Sequence, residues 1–238
     1  MEKLISGAEK LGLHLNARQI EQFTIYYEEL VEWNERMNLT AITEYEEVQT
    51  KHFLDSLTVV LALPQLGTGN FSVIDVGTGA GLPGIPLKIV FPGMRLVLLD
   101  STAKKATFLQ HLKQKLGLMD IEIVVGRAEE IARRSEYREK FDIVLSRAVA
   151  PLAILVELTL PFCTVGGSLI AQKKGEIRQE IDRAARAIKT LGGHLREVKT
   201  IELTEFTDKR WLVIVNKILP TPPAYPRRPG VPAKKPIA

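Results

Sequence analysis

Apolar side chains recur at helical spacing from the sixteenth residue onward: Ile20, Phe23, Tyr27, Leu30 and Val31 would share one face of a helix. Asn16 followed three residues later by Gln19 has the form of a reciprocal N-terminal cap, so a long amphipathic helix is expected to end near Met37. A second helical stretch is expected over 44–62, with a bend near His52. No run of strand-like alternation precedes Phe71, and residues 1–66 therefore read as a helical extension. From Phe71 the pattern changes. Short apolar runs over 71–77, 95–100, 121–126, 141–147 and 167–172 alternate with helical segments, the last expected over about 176–191. Two further strand patterns, 194–203 and 210–218, are separated by too few residues for a crossover helix, so that pair must be antiparallel.

Five strands that each need a helical crossover imply a parallel sheet covered on both faces. The expectation is an α/β domain over 67–219 with a seven-stranded, mainly parallel sheet whose last strand is antiparallel. Residues 220–238 form a separate tail. More than half of the chain's prolines lie beyond Leu219, which excludes helix and central strand there. With Arg227, Arg228, Lys234 and Lys235 and no acid, the tail is either a solvated terminus or an arm that lies on phosphate.

The first strand runs directly into Gly77-Thr78-Gly79-Ala80-Gly81, the strand-to-helix turn with which nucleotide-binding α/β domains begin. Gly79, Gly81 and Gly84 also satisfy the spaced-glycine pattern of dinucleotide enzymes. The close turn, however, is Gly77 to Gly79, and the third glycine would then fall where Leu82 stands. Asp75 narrows the reading further, because a carboxylate within an apolar strand needs a partner. The turn amides could supply it, as could the free ammonium of S-adenosylmethionine, which nicotinamide dinucleotides lack. Five parallel strands closed by an antiparallel hairpin is also the strand succession of the Rossmann-like S-adenosylmethionine-dependent methyltransferases.

Asp100 lies 23 residues beyond Gly77, where an acidic side chain can accept both ribose hydroxyls of an adenosine; the alternative is a helix cap, which Ser101 or Thr102 could supply instead. Ala128 and Glu129 follow the third strand at the expected adenine edge, although Ala-Glu-Glu is also an ordinary helix opening. Arg147 ends the fourth strand at the carboxyl edge. It would bind a cofactor carboxylate, a substrate phosphate or a base edge, or pair structurally with a carboxylate such as Asp75. Lys104, Lys105, Lys173 and Lys174 lie near the same edge and could form a basic rim for RNA phosphates, or be merely solvated. His52 and Asn38 read as helix-packing residues.

Residues 1–60 carry a net charge of −6, residues 61–216 carry +5 and the last 22 carry +5. That asymmetry fits either a polyanionic partner facing the later part of the chain or a solubilising surface. Cys163 is the single cysteine, which excludes an internal disulfide, a multi-thiolate zinc site and the two-cysteine chemistry of pyrimidine carbon-5 methylation. No metal is expected. The N-terminus lacks a basic head followed by an apolar core, and the uncharged stretches 56–74 and 158–172 are broken by proline, glycine and polar residues. A cytoplasmic protein without a membrane span is expected. Absence of an Asn-Pro-Pro-Tyr type of motif after the fourth strand speaks against methylation of exocyclic amines. A ring nitrogen such as guanine N7 has a free lone pair and needs no general base, so orientation alone could supply about 7–11 kcal/mol.

Trp33-Asn34, Met37-Asn38-Leu39-Thr40, His52 with Asp55-Ser56-Leu57, IDVGTGAGLPGIPL, DSTAKKATFL, GRAEE and LSRAVAPL together resemble the RsmG (GidB) methyltransferases over Phe23 to Lys217. The resemblance implies an enzyme that methylates N7 of a guanine in the decoding-region loop of bacterial 16S rRNA within the small ribosomal subunit, using S-adenosylmethionine. It also implies a cofactor site built from Gly77, Gly79, Leu82, Asp100, Ala128, Glu129 and Arg147, and a monomer is favoured. The tail looks less family-like, and no role is carried onto it. A small-molecule methyltransferase would need a closed apolar pocket, and no large inserted lid is present. Another RNA methyltransferase and a non-catalytic RNA-binding scaffold on the same fold are the remaining alternatives; the intact Asp75, Asp100 and glycines argue against the scaffold.

Overall fold

A computed structural model describes residues 1–63 and 70–237. The boundary expected between residues 66 and 67 lies outside them. The head begins with α1 (Glu2–Lys10) and continues with α2 (Ala17–Met37), whose Asn16 side chain accepts from the Gln19 amide while the Gln19 side chain accepts from the Asn16 amide. Asn38 ends α2 in the left-handed region at φ 49°, a conformation asparagine tolerates well. Next come α3 (Tyr45–Val48), a wide π-helical turn over Gln49–Leu54, α4 (Asp55–Leu57) and a tight turn over Thr58–Leu61. The bend expected near His52 is this wide turn, a feature often found where a helix serves a site.

The sheet domain runs β1 (Ser72–Val76), α5 (Gly84–Val90), β2 (Arg95–Asp100), α6 (Ala103–Lys115), β3 (Ile121–Val125), α7 (Ala128–Ile131), β4 (Phe141–Arg147), α8 (Leu152–Thr159), β5 (Cys163–Lys174), α9 (Arg178–Thr190), β6 (Gly193–Ile201) and β7 (Arg210–Lys217). The strand order is β3-β2-β1-β4-β5-β7-β6, with β7 antiparallel to both of its neighbours. The chain therefore winds outward from β1 in one direction and from β4 in the other. The gap between their carboxyl ends is the place where such sheets bind ligands. Two expectations need adjustment: β5 begins four residues earlier than the glycine pair suggests, and the helix after β3 is a single turn.

Alternation along the strands divides the core into two layers. Val73, Leu96, Leu98, Ile143, Leu145, Ile170, Leu212 and Ile214 face the head and helices α5 and α6. Ile74, Val97, Leu99, Val144, Leu169, Ala171, Val213 and Val215 face α8 and α9. The head contributes Leu4, Phe23, Tyr26, Leu30 and Phe53 to the first layer, all fully buried. At roughly 1.5–3 kcal/mol for each large apolar side chain removed from water, this joint holds the head to the sheet. Cys163 is buried at the start of β5, and burial pushes its thiol up to about 12, so it is a packing residue.

The tail departs from expectation. It contains a helical turn, α10 (Val231–Lys234), and it is docked. Arg138 donates to the carbonyls of Thr221 and Tyr225 at 2.8 and 2.9 Å, and Arg133 to that of Pro226 at 2.6 Å. Proline excludes regular ladders but leaves its carbonyl free, and arginines from the segment between α7 and β4 take those carbonyls.

Candidate functional site

The glycine turn closes tightly over the end of β1. Gly77 and Gly79 adopt φ of 75° and 61°, a region costly for any side chain. A Cβ on Gly77 would lie 2.4 Å from Val149, whereas one on Gly79 would project into open space. The turn thus has one packed side, against Val149, and one bare side at Gly79.

Two carboxylates hold this turn. Asp75 is fully buried; its Oδ2 accepts from the Thr78 hydroxyl at 2.7 Å and the Gly84 amide at 2.9 Å, while Oδ1 has no partner. Burial outweighs those donors and raises its pKa from 3.8 to about 6. Asp100 accepts from the Gly79 amide at 3.0 Å and the Thr102 amide at 2.9 Å, with Lys105 at 3.4 Å. It is therefore a loop tie rather than a helix cap. Oδ2 is shared between the Gly79 amide and Lys105, while Oδ1, bound only to the Thr102 amide, retains a lone pair for a hydroxyl donor.

Beyond Asp100 a narrow slot of about 110 Å³ is lined by Val76, Gly77, Leu99, Asp100, Ala128, Glu129, Val149 and Leu158, among others. Its apolar walls and acidic ends suit a flat heterocycle bearing hydroxyls and an amine. The unpartnered Asp75 oxygen, the bare face of Gly79 and the free lone pair on Asp100 Oδ1 fit an adenosyl sulfonium bearing an ammonium group. A larger cavity of about 490 Å³ opens at the opposite, amino ends of β1 to β4, away from the glycine turn and from the switch point, where this fold places no ligand.

The sequence-selected residues do not all converge. Gly77, Gly79, Asp100 and Ala128 surround the turn and the slot. Leu82 lies beneath them at 5% exposure, its amide bound to the Thr78 carbonyl, so it supports the turn and presents no donor. Glu129 is buried with one oxygen accepting from the Gly230 amide at 3.0 Å and from Arg127 at 3.2 Å. Burial would raise its pKa, yet the donors that include Gly230 and Arg127 hold it below the usual carboxylate value. Arg147 takes the structural option, but with Asp55 rather than Asp75: it donates to Asp55 Oδ2 at 2.9 Å and to the Lys51 carbonyl at 3.0 Å. Of the lysines, Lys104 is exposed and Lys174 is half-exposed, 3.8 Å from Asp208. Lys105 leans on Asp100. Lys173 is a correction to the expected rim, because its ammonium is drawn inward onto Glu180 and the Ala150 carbonyl at 2.5 and 2.7 Å.

Sequence reasoning missed the group at the mouth of the gap. Asp55 bridges Arg147 and the fully buried Arg210, the latter at 2.5 Å, and Phe206 stacks on Arg210 with its centroid 4.2 Å away. Gln172 donates to the Asp55 carbonyl at 2.5 Å. His52 stands between Thr40 at 2.8 Å and Arg147 at 3.4 Å, and burial beside that guanidinium lowers its pKa to about 4. The only visible sign was a charged residue, Arg210, opening the otherwise apolar strand WLVIV. Tyr26 was also missed: from α2 it donates to the Ala80 carbonyl at 2.6 Å, which ties the head to the glycine turn.

The family model described as rRNA small subunit methyltransferase G matches residues 19–208. The chain belongs to that family. A ribosomal RNA small subunit methyltransferase G from Dehalococcoides mccartyi strain CBDB1 is 53% identical over 237 residues, all of both chains. Its counterpart in Lachnoclostridium phytofermentans is 49% identical over 98% of this chain and 96% of its own. The match to the Dehalococcoides protein spans the whole chain and so includes the tail, whereas the family model ends at residue 208. A 16S rRNA adenine-N1 methyltransferase from Catenulisporales acidiphilia, solved with cosubstrate S-adenosylmethionine, superposes with a TM-score of 0.53 at 14% identity over 67% of this chain and 90% of that one; at that identity the likeness is one of fold. As a methyltransferase G family member the chain is an enzyme that methylates ribosomal RNA of the small subunit, with S-adenosylmethionine as donor. Among the described residues no helix is long and apolar enough to cross a membrane.

Proposed function

We propose that the chain methylates N7 of a guanine in the decoding-region loop of 16S rRNA, as a cytoplasmic monomer, with the donor lying across the glycine turn. The observation that carries the placement is the pair of carboxylates at the turn: Asp75 with an unpartnered buried oxygen and Asp100 with a free lone pair on Oδ1, tied to Gly79, whose Cβ side is open. In this reading Asp75 takes the ammonium, Asp100 the two ribose hydroxyls, and the backbone at Ala128 and Glu129 the purine edge. The bound donor supplies an electrophilic methyl group: the N7 lone pair forms the new bond to carbon as the carbon–sulfur bond breaks and its electron pair stays on sulfur.

The attacking nitrogen carries no proton, so these residues need only align and desolvate the reactants. Arg147, fixed by Asp55, sets the wall where the base would enter and is a positioning residue. Lys104 and Lys174 remain as outward cations for RNA phosphate. The head, residues 1–66, shapes the approach to the mouth through Tyr26, His52 and Asp55, while residues 67–219 hold the donor. Labelled methyl transfer to small ribosomal subunits, followed by mapping of the modified nucleotide, tests the reading. Label on 7-methylguanine in the decoding loop is expected; label on another atom or another loop would overturn the N7 assignment.

A further inference from the structure

Two short elements, α7 after β3 and α8 after β4, contribute Ala128, Glu129 and Leu158 to the walls of the adenine slot, and the ends of β1 and β2, the residues just before α7, and Val149 supply the rest. Each carries a buried carboxylate, and that of α7, Glu129, belongs to a residue lining the slot. Glu129 stands in the first turn of α7 and Glu157 is fully buried on α8, next to the slot residue Leu158. A buried carboxylate without donors is costly, and the tail supplies donors to both. Arg227 grips Glu157 with a forked set of contacts, Nε to Oε1 at 2.9 Å, Nη2 to Oε2 at 2.6 Å, and its own amide to Oε1 at 2.8 Å. Three residues later the Gly230 amide donates to Glu129. Gly230 itself takes φ of 80°, so the chain turns at the second grip.

We infer that the C-terminal arm is a clasp that fixes the width of the adenine slot: Arg227 and Gly230 join α8 to α7, and Arg227 is thereby a positioning residue for the donor. This rests on the donor placement proposed above. The arm's root is pinned independently by Arg133 and Arg138, so the tip can loosen without release of the whole tail. A slot of this kind gains affinity from being held in its bound shape beforehand. By reciprocity, a donor that prefers the closed slot must also favour the docked arm.

Binding of S-adenosylhomocysteine and of 5′-methylthioadenosine, which keeps the adenosine and lacks the amino-acid end, is measured by calorimetry on the full chain and on two variants. Arg227→Ala removes the grip on Glu157. Gly230→Ala meets no atom within 4 Å and disturbs only the backbone angle, so it tests the clasp even if loss of Arg227 impairs folding. Each variant is expected to weaken both ligands by the same factor of about ten or more, with Arg227→Lys in part restored. In the wild type, hydrogen exchange at the Gly230 amide is expected to slow when S-adenosylhomocysteine binds. Equal or tighter affinity in the folded Gly230→Ala variant, or a Gly230 amide indifferent to the ligand, would overturn the clasp. Failure of the wild type to bind either ligand would instead overturn the donor placement, and the clasp with it.

Discussion

Replacing Asp75 by asparagine separates stability from binding at one atom. The carboxylate is fully buried, only one of its oxygens has partners, and its pKa lies at about 6 in place of 3.8. At 1.36 kcal/mol per unit, ionised Asp75 costs the folded chain about 3 kcal/mol above pH 7 relative to its protonated form. An amide of the same shape keeps an acceptor for Thr78 and Gly84 and carries no charge. Asp75→Asn is therefore expected to stabilise the ligand-free protein at pH 8 by about 1–3 kcal/mol, which is several degrees in Tm for a chain of this length. A raised folded pKa means that the wild type gains stability as pH falls through 6 and holds it fully below 3.8, so the advantage of the amide should vanish near pH 4. The same substitution removes the anion assigned to the donor's ammonium, and affinity for S-adenosylhomocysteine should fall at least tenfold. Urea unfolding at pH 8 and pH 4, with calorimetric titration at pH 8, decides the matter. A variant less stable at pH 8 that binds as tightly as the wild type would refute the reasoning.

Asp100→Ala should abolish measurable S-adenosylhomocysteine binding in calorimetry while circular dichroism keeps the fold, since two charge-assisted loop contacts of about 1.5–3 kcal/mol each are lost together with the ribose acceptors. Asp55→Ala leaves two guanidiniums without their shared carboxylate and is expected to lower unfolding free energy by about 3–5 kcal/mol in denaturant titration; a change below 1 kcal/mol would show the cluster to be solvated. Affinity for ribosomal RNA should fall steeply between 50 and 200 mM salt in filter binding, and a flat response would discredit Lys104 and Lys174 as phosphate contacts.

The sheet was legible because each strand is an apolar run bounded by glycine, proline or charge, and because 204–209 is too short for a crossover. The Asn16 and Gln19 cap was legible because it is local. What could not be read was pairing across long separations. Asp55 meets Arg147 and Arg210 only after the head folds over the carboxyl ends of β4 and β5 and the amino end of β7, and Arg227 meets Glu157 across 70 residues. Charge counting alone could not tell Lys173, drawn onto Glu180, from Lys104, left in water. The tail was misjudged for a related reason: proline content reports which ladders a segment cannot join, whereas its docking here depends on carbonyls and one arginine.

The most direct measurement is a crystal structure of the chain with S-adenosylhomocysteine. The ribose hydroxyls are expected within hydrogen-bond reach of Asp100, the amino group toward Asp75 and the purine in the slot between Leu99, Ala128 and Leu158. Ligand density in the cavity at the amino ends of the strands, or a slot filled by protein atoms at saturating ligand, would contradict the placement.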